Sequence, residues 1–382
     1  MRREKGGRDL SVQLLRIFAC FIVILVHVRP LSYTSQGYSL GRVMFSCFVS
    51  DGVAVFLIIT GFFYLKNEVF ATFLKKNLIK VVLPATILMV FCTIFSGFLK
   101  GEVSALESIK QFRVSELLLI LQSWITGNPN LITNCGHLWY VFLHIFVVLC
   151  FPLLKRFQSD DKEVKYEKYI IMAIGFLYVV FETWSDRLQI FALADSGPYK
   201  VIPVSLLLIL IGDLLYRNID KIKGRWSVRI IGVVVYVVTN VIRTFDQLYV
   251  YNSGGTETVV FWSSAYGIIC SFSLALFFLT FEIKNVFFQK CINWLAYFTF
   301  SIYLVHYVLV CTLNNYPESI KCRINDYFNG DEGSIIDYLC VVGLNALIIF
   351  VLSLGLVVII HLIIKLCKHI WYTKVRRDNG SP

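Results

Sequence analysis

The stretch Leu10-Ser-Val-Gln-Leu-Leu-Arg16-Ile-Phe-Ala-Cys-Phe-Ile-Val-Ile-Leu-Val-His27-Val28 decides the fold. As an α-helix rising about 1.5 Å per residue it is long enough to cross the ~30 Å hydrocarbon core of a bilayer. A cleaved signal peptide would carry a shorter apolar core and a small-residue cleavage site. Here the run follows Arg2, Arg3, Lys5 and Arg8, contains Arg16 and ends in His27-Val28-Arg29-Pro30, so it reads as a retained first transmembrane helix.

Similar apolar runs continue outward from it, at 43–65, 78–99, 137–154, 169–184, 199–216, 228–243, 258–281, 291–313 and 337–366. The fifth and seventh runs are short, and the last is long enough to tilt or to extend past the membrane. The whole chain agrees: 57% of its 382 residues are hydrophobic, 16% are charged and the mean hydropathy is +0.70. Soluble domains usually hold about 45–50% apolar and 25% charged residues. The expectation is an all-α, polytopic integral membrane protein of about ten transmembrane helices. It forms one membrane domain over 1–382, with short cytoplasmic tails at about 1–9 and 367–382.

The net charge of +11 does not point to nucleic acid, because the basic residues lie in short runs between apolar spans. With both termini cytoplasmic, 25 Lys and Arg fall on the inner side and 10 on the outer, and Arg16 completes the 36. That asymmetry is the positive-inside bias, and it requires an even number of spans. Between the third and fourth spans, Ser115-Glu-Leu-Leu-Leu-Ile-Leu-Gln-Ser-Trp124 reads as a capped helix too short to cross, hence an interfacial or re-entrant lid. Most of the 11 cysteines lie inside apolar spans as small hydrophobes; Cys135 and Cys322 fall in expected outer loops, where they are available to pair. Glu182 and Asp213, near the ends of short spans, read as interfacial.

Ionisable residues inside a span are costly and mark function by default. Arg16 and His27 are eleven residues apart; at about 100° per residue that is three turns plus ~20°, so they share a helix face, about 16 Å apart along the axis. Arg16, near the inner leaflet, suits a phosphate; His27, in the outer half, suits a general base. A donor with a phosphate-bearing head and a long arm, such as acyl-coenzyme A, matches this span. The plainer reading is that Arg16 snorkels to headgroups and His27 sits at the interface. His137 opens the fourth span and His306 lies in the outer half of the ninth, so both can reach the depth of His27; His144 is two turns from His137 on one face. Nothing fixes metal-ligand spacing among these histidines and no carboxylate accompanies them, so no metal is expected. Asp51, within the second span, is a candidate to orient His27. Trp139, Tyr140 and Tyr303 are candidates to stack on substrate, although aromatic residues also populate membrane interfaces generally. Gly61 suits a close helix approach.

Four stretches, taken together, resemble one family. They are Leu14-Leu-Arg16-Ile-Phe-Ala-Cys20 with His27; Gly52-Val-Ala-Val-Phe-Leu-Ile-Ile-Thr60-Gly61-Phe62; Gly136-His137-Leu138-Trp139-Tyr140 followed by Phe151-Pro152-Leu153-Leu154; and Ser301-Ile302-Tyr303-Leu304-Val305-His306. In this order they resemble the membrane-bound acyltransferase-3 family, and within it the enterobacterial common antigen O-acetyltransferase branch. The chain departs from the family pattern at Gln13, where an acidic residue is frequent, and at Ala54, where Pro or Asp is frequent. The resemblance implies an O-acyltransferase of the bacterial plasma membrane. The donor would be acetyl-CoA or another acyl-CoA, a substrate rather than a permanently bound cofactor. The acceptor would be a hydroxyl of a surface glycan or its lipid-linked precursor. It implies His27 as catalytic base and Arg16 on the donor side. The competing reading is a glycan or lipid exporter without catalytic activity; the Arg16–His27 pair and the few charges in the sixth to eighth spans weigh against it.

Overall fold

The computed structural model describes residues 9–28, 39–64, 69–157, 159, 161–188, 201–253, 259–316, 319–327 and 334–378. The basic residues Arg2, Arg3, Lys5 and Arg8, and the last four residues of the C-terminal tail, lie outside them. All regular structure among the described residues is helical.

The first helix is α1 (Leu10–Val28). The second apolar run is divided into α2 (Leu40–Val49) and α3 (Gly52–Tyr64) by a turn at Ser50-Asp51. The third comprises α4 (Phe70–Asn77), a π-helical turn Leu78–Val82, α5 (Leu83–Ile94) and α6 (Ser96–Leu99). Pro84 stands in the first turn of α5, and the wider π turn before it accommodates the missing amide donor. Next come α7 (Ala105–Gln111) and α8 (Leu117–Thr126), the short capped helix of the sequence, closed by Gly127 at φ 68°. Leu118, Leu121 and Ile125 of α8 are exposed, as an element lying at an interface requires.

The fourth run opens with a 3₁₀ turn Gly136–Leu138 and continues as α9 (Trp139–Leu149) and α10 (Phe151–Arg156), broken at Cys150 ahead of Pro152. Then follow α11 (Lys162–Leu188), α12 (Val201–Arg217), α13 (Ile219–Ile222) and α14 (Trp226–Asn252). The series ends with α15 (Ala265–Leu279), α16 (Val286–Asn314), α17 (Ile320–Tyr327) and α18 (Ile335–Asp378).

Among the described residues, six helical segments are long and apolar enough to cross a membrane: Leu10–Val28, Leu40–Phe63, Phe70–Ile94, Trp226–Asn252, Val286–Asn314 and Ile335–Ile370. Shorter apolar helices accompany them, including Val114–Thr126, Gly136–Leu149 and Ala265–Leu279. The protein is a polytopic helical membrane protein. The fifth and seventh runs, short in the sequence reading, belong to helices of 27 residues each, α11 and α14. Charged and polar side chains hid their length: Lys168 interrupts the first, and Arg243 and Gln247 the second. These side chains are buried inside the bundle rather than placed in loops. Asp213, near the end of α12, is buried as well. It is 2% exposed and ion-paired with Lys168, and it accepts from Arg217 Nε at 2.9 Å. Cys135 and Cys322 are free thiols; Cys135 is buried and hydrogen-bonded with Cys92, and Cys322 points at the carbonyl of Leu313.

The first helix is the hub. It packs against α3, α15, α16 and α18, and Leu15, Ala19, Ile22 and Ile24 are almost fully buried. On the other side of α3, α12 crosses in backbone contact. A Cβ on Gly61 would stand 2.0 Å from the carbonyl oxygen of Ile209, and one on Gly212 would stand 2.1 Å from that of Ile58. Small residues permit such approaches in membranes, where packing replaces the hydrophobic drive. Gly61→Ala is expected to destabilise the protein by about 1–3 kcal/mol or more. Gly343→Ala, where a Cβ meets nothing within 4 Å, should leave stability unchanged or slightly higher. Thermal loss of monodisperse detergent-solubilised protein measures both.

Candidate functional site

A cavity of about 1300 Å³ lies between α1, α3, α4, α9 and α16. Asp9, Leu10 and Ser11 line it, so it reaches the end of the bundle where α1 begins. Arg16, Lys76, Lys80, Lys223 and Lys284 also line it, against the acids Asp9, Asp220 and Glu282. Lys223 is paired with Asp9 at 3.5 Å. The mouth is therefore net basic. Two local features of the chain produce this. Positions four apart share a helix face, and Lys76, Asn77, Lys80 and Val81 all face the cavity. Arg16 lies over the ring of Phe63 at 5.5 Å and donates to Gln13 Oε1 at 3.3 Å. Asn77 donates through Nδ2 to the carbonyl of Phe73, so its Oδ1, 3.0 Å from His144 Nε2, accepts from that ring.

At its inner end the cavity is lined by Thr60, Tyr140, Thr299, Phe300 and Tyr303. Beyond Tyr303 lies a second group of side chains. His27 of α1 and His306 of α16 have ring centroids 5.3 Å apart, and His137, in the turn before α9, is 5.3 Å from His306. Tyr307 fills the space between, 4.8 Å from His27 and 5.0 Å from His137. Tyr303, His306 and Tyr307 share one face of α16 because positions three and four apart are neighbours on a helix. The group is built on the backbone. His137 Nε2 is 2.9 Å from the carbonyl of Leu304, His306 Nδ1 is 2.6 Å from that of Tyr303, and the Tyr303 hydroxyl donates to the carbonyl of His137. His306 is fully buried and His137 is 2% exposed, whereas His27 is half-buried. The structure thus brings His27, His137, Tyr303 and His306 together and places Arg16 in the adjoining cavity. Tyr303 is the partition, with one side on the cavity and the other on the histidines. Among the described residues no cluster of three or more His, Cys, Asp or Glu is arranged to hold a metal ion.

The remaining candidates have other surroundings. Trp139 stacks on Trp262, with centroids 5.8 Å apart and planes 12° from parallel. Asp51 lies at the turn between α2 and α3, and its Oδ1 accepts from Arg243 Nη1 at 2.9 Å; both residues are fully buried. Arg243 also donates to the carbonyls of Cys47, Val259, Val260 and Phe261 at 2.6–3.1 Å. Arg243 and Tyr307 were missed in the sequence. The signal for Arg243 is the one that singled out Arg16, a cation within an apolar helix, but it was taken for the end of a span. The signal for Tyr307 is only its position beside His306. Removing one partner of a buried ion pair leaves an uncompensated charge, so Arg243→Leu is expected to destabilise by about 3–5 kcal/mol. Asp51→Asn keeps an acceptor facing the guanidinium and should cost less. Thermal unfolding in detergent ranks the two.

Comparison with known proteins adds a family. The family described as an acyltransferase domain, acyltransferase-3, matches residues 9–366, which includes the cavity and the histidine group. No curated protein and no solved structure matches the chain. A match over nearly the whole length, on a helical bundle with an interior cavity and a buried cluster of histidines, makes this protein a member of the acyltransferase-3 family and a multi-pass membrane acyltransferase.

Proposed function

We propose that the protein is an O-acyltransferase, most simply an O-acetyltransferase, of the bacterial plasma membrane. In this reading it moves an acyl group from acyl-CoA to a hydroxyl of a surface glycan or its lipid-linked precursor. The observation that carries the proposal is the placement of Arg16 and His27. Arg16 lies in a cavity with a basic mouth, and His27 lies on the same helix beyond the cavity's inner end. In this reading the ten apolar runs are ten crossings of a single domain over 1–382, and the 25-to-10 distribution of basic residues favours an even number with both termini cytoplasmic. The cavity then opens to the cytoplasm, where acyl-CoA is made. Lys76, Lys80, Arg16, Lys223 and Lys284 supply the charge for its phosphates. A volume of 1300 Å³ exceeds the 300–1000 Å³ usual for drug-sized ligands and suits a long donor. The resemblance to the enterobacterial common antigen O-acetyltransferase branch favours acetyl as the group moved.

The chemistry follows from the two ends. The pantetheine arm runs past Tyr140 and Tyr303 and presents the thioester to His27. His27 takes the proton of the acceptor hydroxyl as its oxygen bonds to the thioester carbon. The carbon–sulfur bond breaks, the thiolate leaves with the electron pair, and the imidazolium returns the proton to sulfur. General base catalysis of this kind contributes about 10²–10⁴-fold. Family membership favours transfer over export, which needs a continuous polar path.

The test uses membranes with equal amounts of folded wild-type, His27→Ala or Lys76→Glu/Lys80→Glu protein, radiolabelled acetyl-CoA and a lipid-linked glycan extract. Wild type is expected to label the glycan, and His27→Ala to do so at least about 100-fold more slowly. The lysine double variant should raise the donor KM with little change in kcat, the signature of lost uniform binding. Equal labelling by His27→Ala would remove His27 as the base. Absence of label with every short acyl donor would remove the assignment of donor and acceptor.

A further inference from the structure

A histidine base works when one ring nitrogen faces the proton it removes and the other donates to a fixed acceptor, which sets tautomer and orientation. That acceptor is commonly a carboxylate. In this protein Asp51 is held by Arg243 and by the turn between α2 and α3. The groups with ring contacts to His27 are His306 and Tyr307.

The tautomer of His306 is fixed by its surroundings. A backbone carbonyl only accepts, so Nδ1, 2.6 Å from the carbonyl of Tyr303, carries the proton. In the neutral ring Nε2 is then an acceptor, and it is fully buried with no hydrogen-bond partner. His137 repeats the device with the nitrogens exchanged. Its Nε2–H faces the carbonyl of Leu304, and its Nδ1 is buried and unpartnered. An unsatisfied buried polar atom costs about 1–3 kcal/mol, so two within one cluster point to a function. The titratable groups facing His306 are His27 from α1, His137 from the turn before α9, and Tyr303 and Tyr307 from its own helix.

We infer that His306 is the positioning residue for His27. A turn of the two rings, whose centroids are 5.3 Å apart, lets the His306 Nε2 accept the N–H of the His27 imidazole and hold the other His27 nitrogen toward the acceptor hydroxyl. The backbone carbonyl of Tyr303 fixes the tautomer that makes this possible. His306 neither gains nor loses a proton in the cycle. The proton from the hydroxyl goes to His27 and then to the departing sulfur, while the His27–His306 hydrogen bond persists. This inference rests on the assignment of His27 as base, but the arrangement can be tested without catalysis.

The first readout is nitrogen-15 NMR of histidine-labelled protein, in which the chain's six histidines are few enough to assign and His27→Ala identifies the His27 signals. Wild type is expected to show one His27 tautomer. His306→Phe, which keeps a ring but removes both nitrogens, should show a mixture. His306→Gln, whose Oε1 can reach the place of Nε2, should restore one tautomer. His306→Asn, which replaces Nδ1 alone, should not. Unchanged His27 tautomer populations in His306→Phe would overturn the inference, whether or not wild type transfers acyl groups.

The second readout is steady-state transfer by equal amounts of folded protein. His306→Phe and His306→Asn should lower kcat about 100-fold or more, with the KM of both substrates within about threefold, and Gln should recover most of the loss. A loss confined to KM would make His306 a substrate contact, and equal effects of Gln and Asn would make it structural; either result rejects the positioning role. No acyl transfer by wild type would count against the proposed function, and the NMR result would still decide the role of His306.

Discussion

Arg243 has five N–H donors, and the buried interior around it offers the Asp51 carboxylate and four backbone carbonyls to receive them. A charge within the hydrocarbon layer survives only with partners of this kind. The arrangement ties α14 to the turn between α2 and α3 and to the segment 259–261 before α15. That turn in turn seats against the first helix: a Cβ on Gly52 would lie 2.9 Å from the carbonyl oxygen of Ala19 and 2.7 Å from Val23. Val23 is one helical turn before His27. The depth of α1 in the bundle, and hence the places of Arg16 and His27, depends on a polar knot that itself takes no part in the proposed chemistry.

The same cost explains how the polar residues divide. Lys168 and Arg217 both pair with Asp213 between α11 and α12, and Asp51 pairs with Arg243 between α3 and α14. The cations of the cavity face open volume, with fewer acids than bases around them. The histidines beyond Tyr303 are held by backbone carbonyls and keep acceptor nitrogens in reserve. Closed charge networks hold helices together, and the open ones are where the proposed donor's charge and the acceptor's proton enter. Position within a span cannot separate the two kinds, because Arg16 and Arg243 look alike in the sequence.

This is where sequence reading reached its limit. The apolar runs gave the helical bundle, because only internally hydrogen-bonded helices or closed barrels suit hydrocarbon, and the runs are helix-length. The first helix gave Arg16 and His27 because both charges and their shared face are local properties. The convergence of His137 and His306 on His27 was accessible from their common depth. Three things were not accessible. The lengths of α11 and α14 were hidden because hydropathy counts Lys168, Arg243 and Gln247 as polar, while the fold buries them with partners. The partner of Asp51 lies 192 residues away. Lys76 and Lys80 share a helix face by their spacing alone, but that this face turns to a cavity depends on the packing of α4 against α9, about sixty residues further on.

A neutral acceptor next to His27 also makes sense at this depth. A carboxylate there would strengthen the base, but it would add an ionised group to the membrane interior, at about 2.5–3.5 kcal/mol even by the lower measures of that cost. It would require its own cation, as Asp51 requires Arg243. Imidazole held by a backbone carbonyl supplies direction without charge. Its ring is rigid, its tautomer is fixed by a group that cannot donate, and α16 carries the carbonyl and the ring on the same turn. The push on His27 is smaller than a carboxylate would give. A thioester is an activated acyl donor, and its thiolate leaves readily. In the proposed reaction the proton of the acceptor hydroxyl therefore needs a well-aimed base more than a strong one, and aim is what a backbone-anchored ring provides.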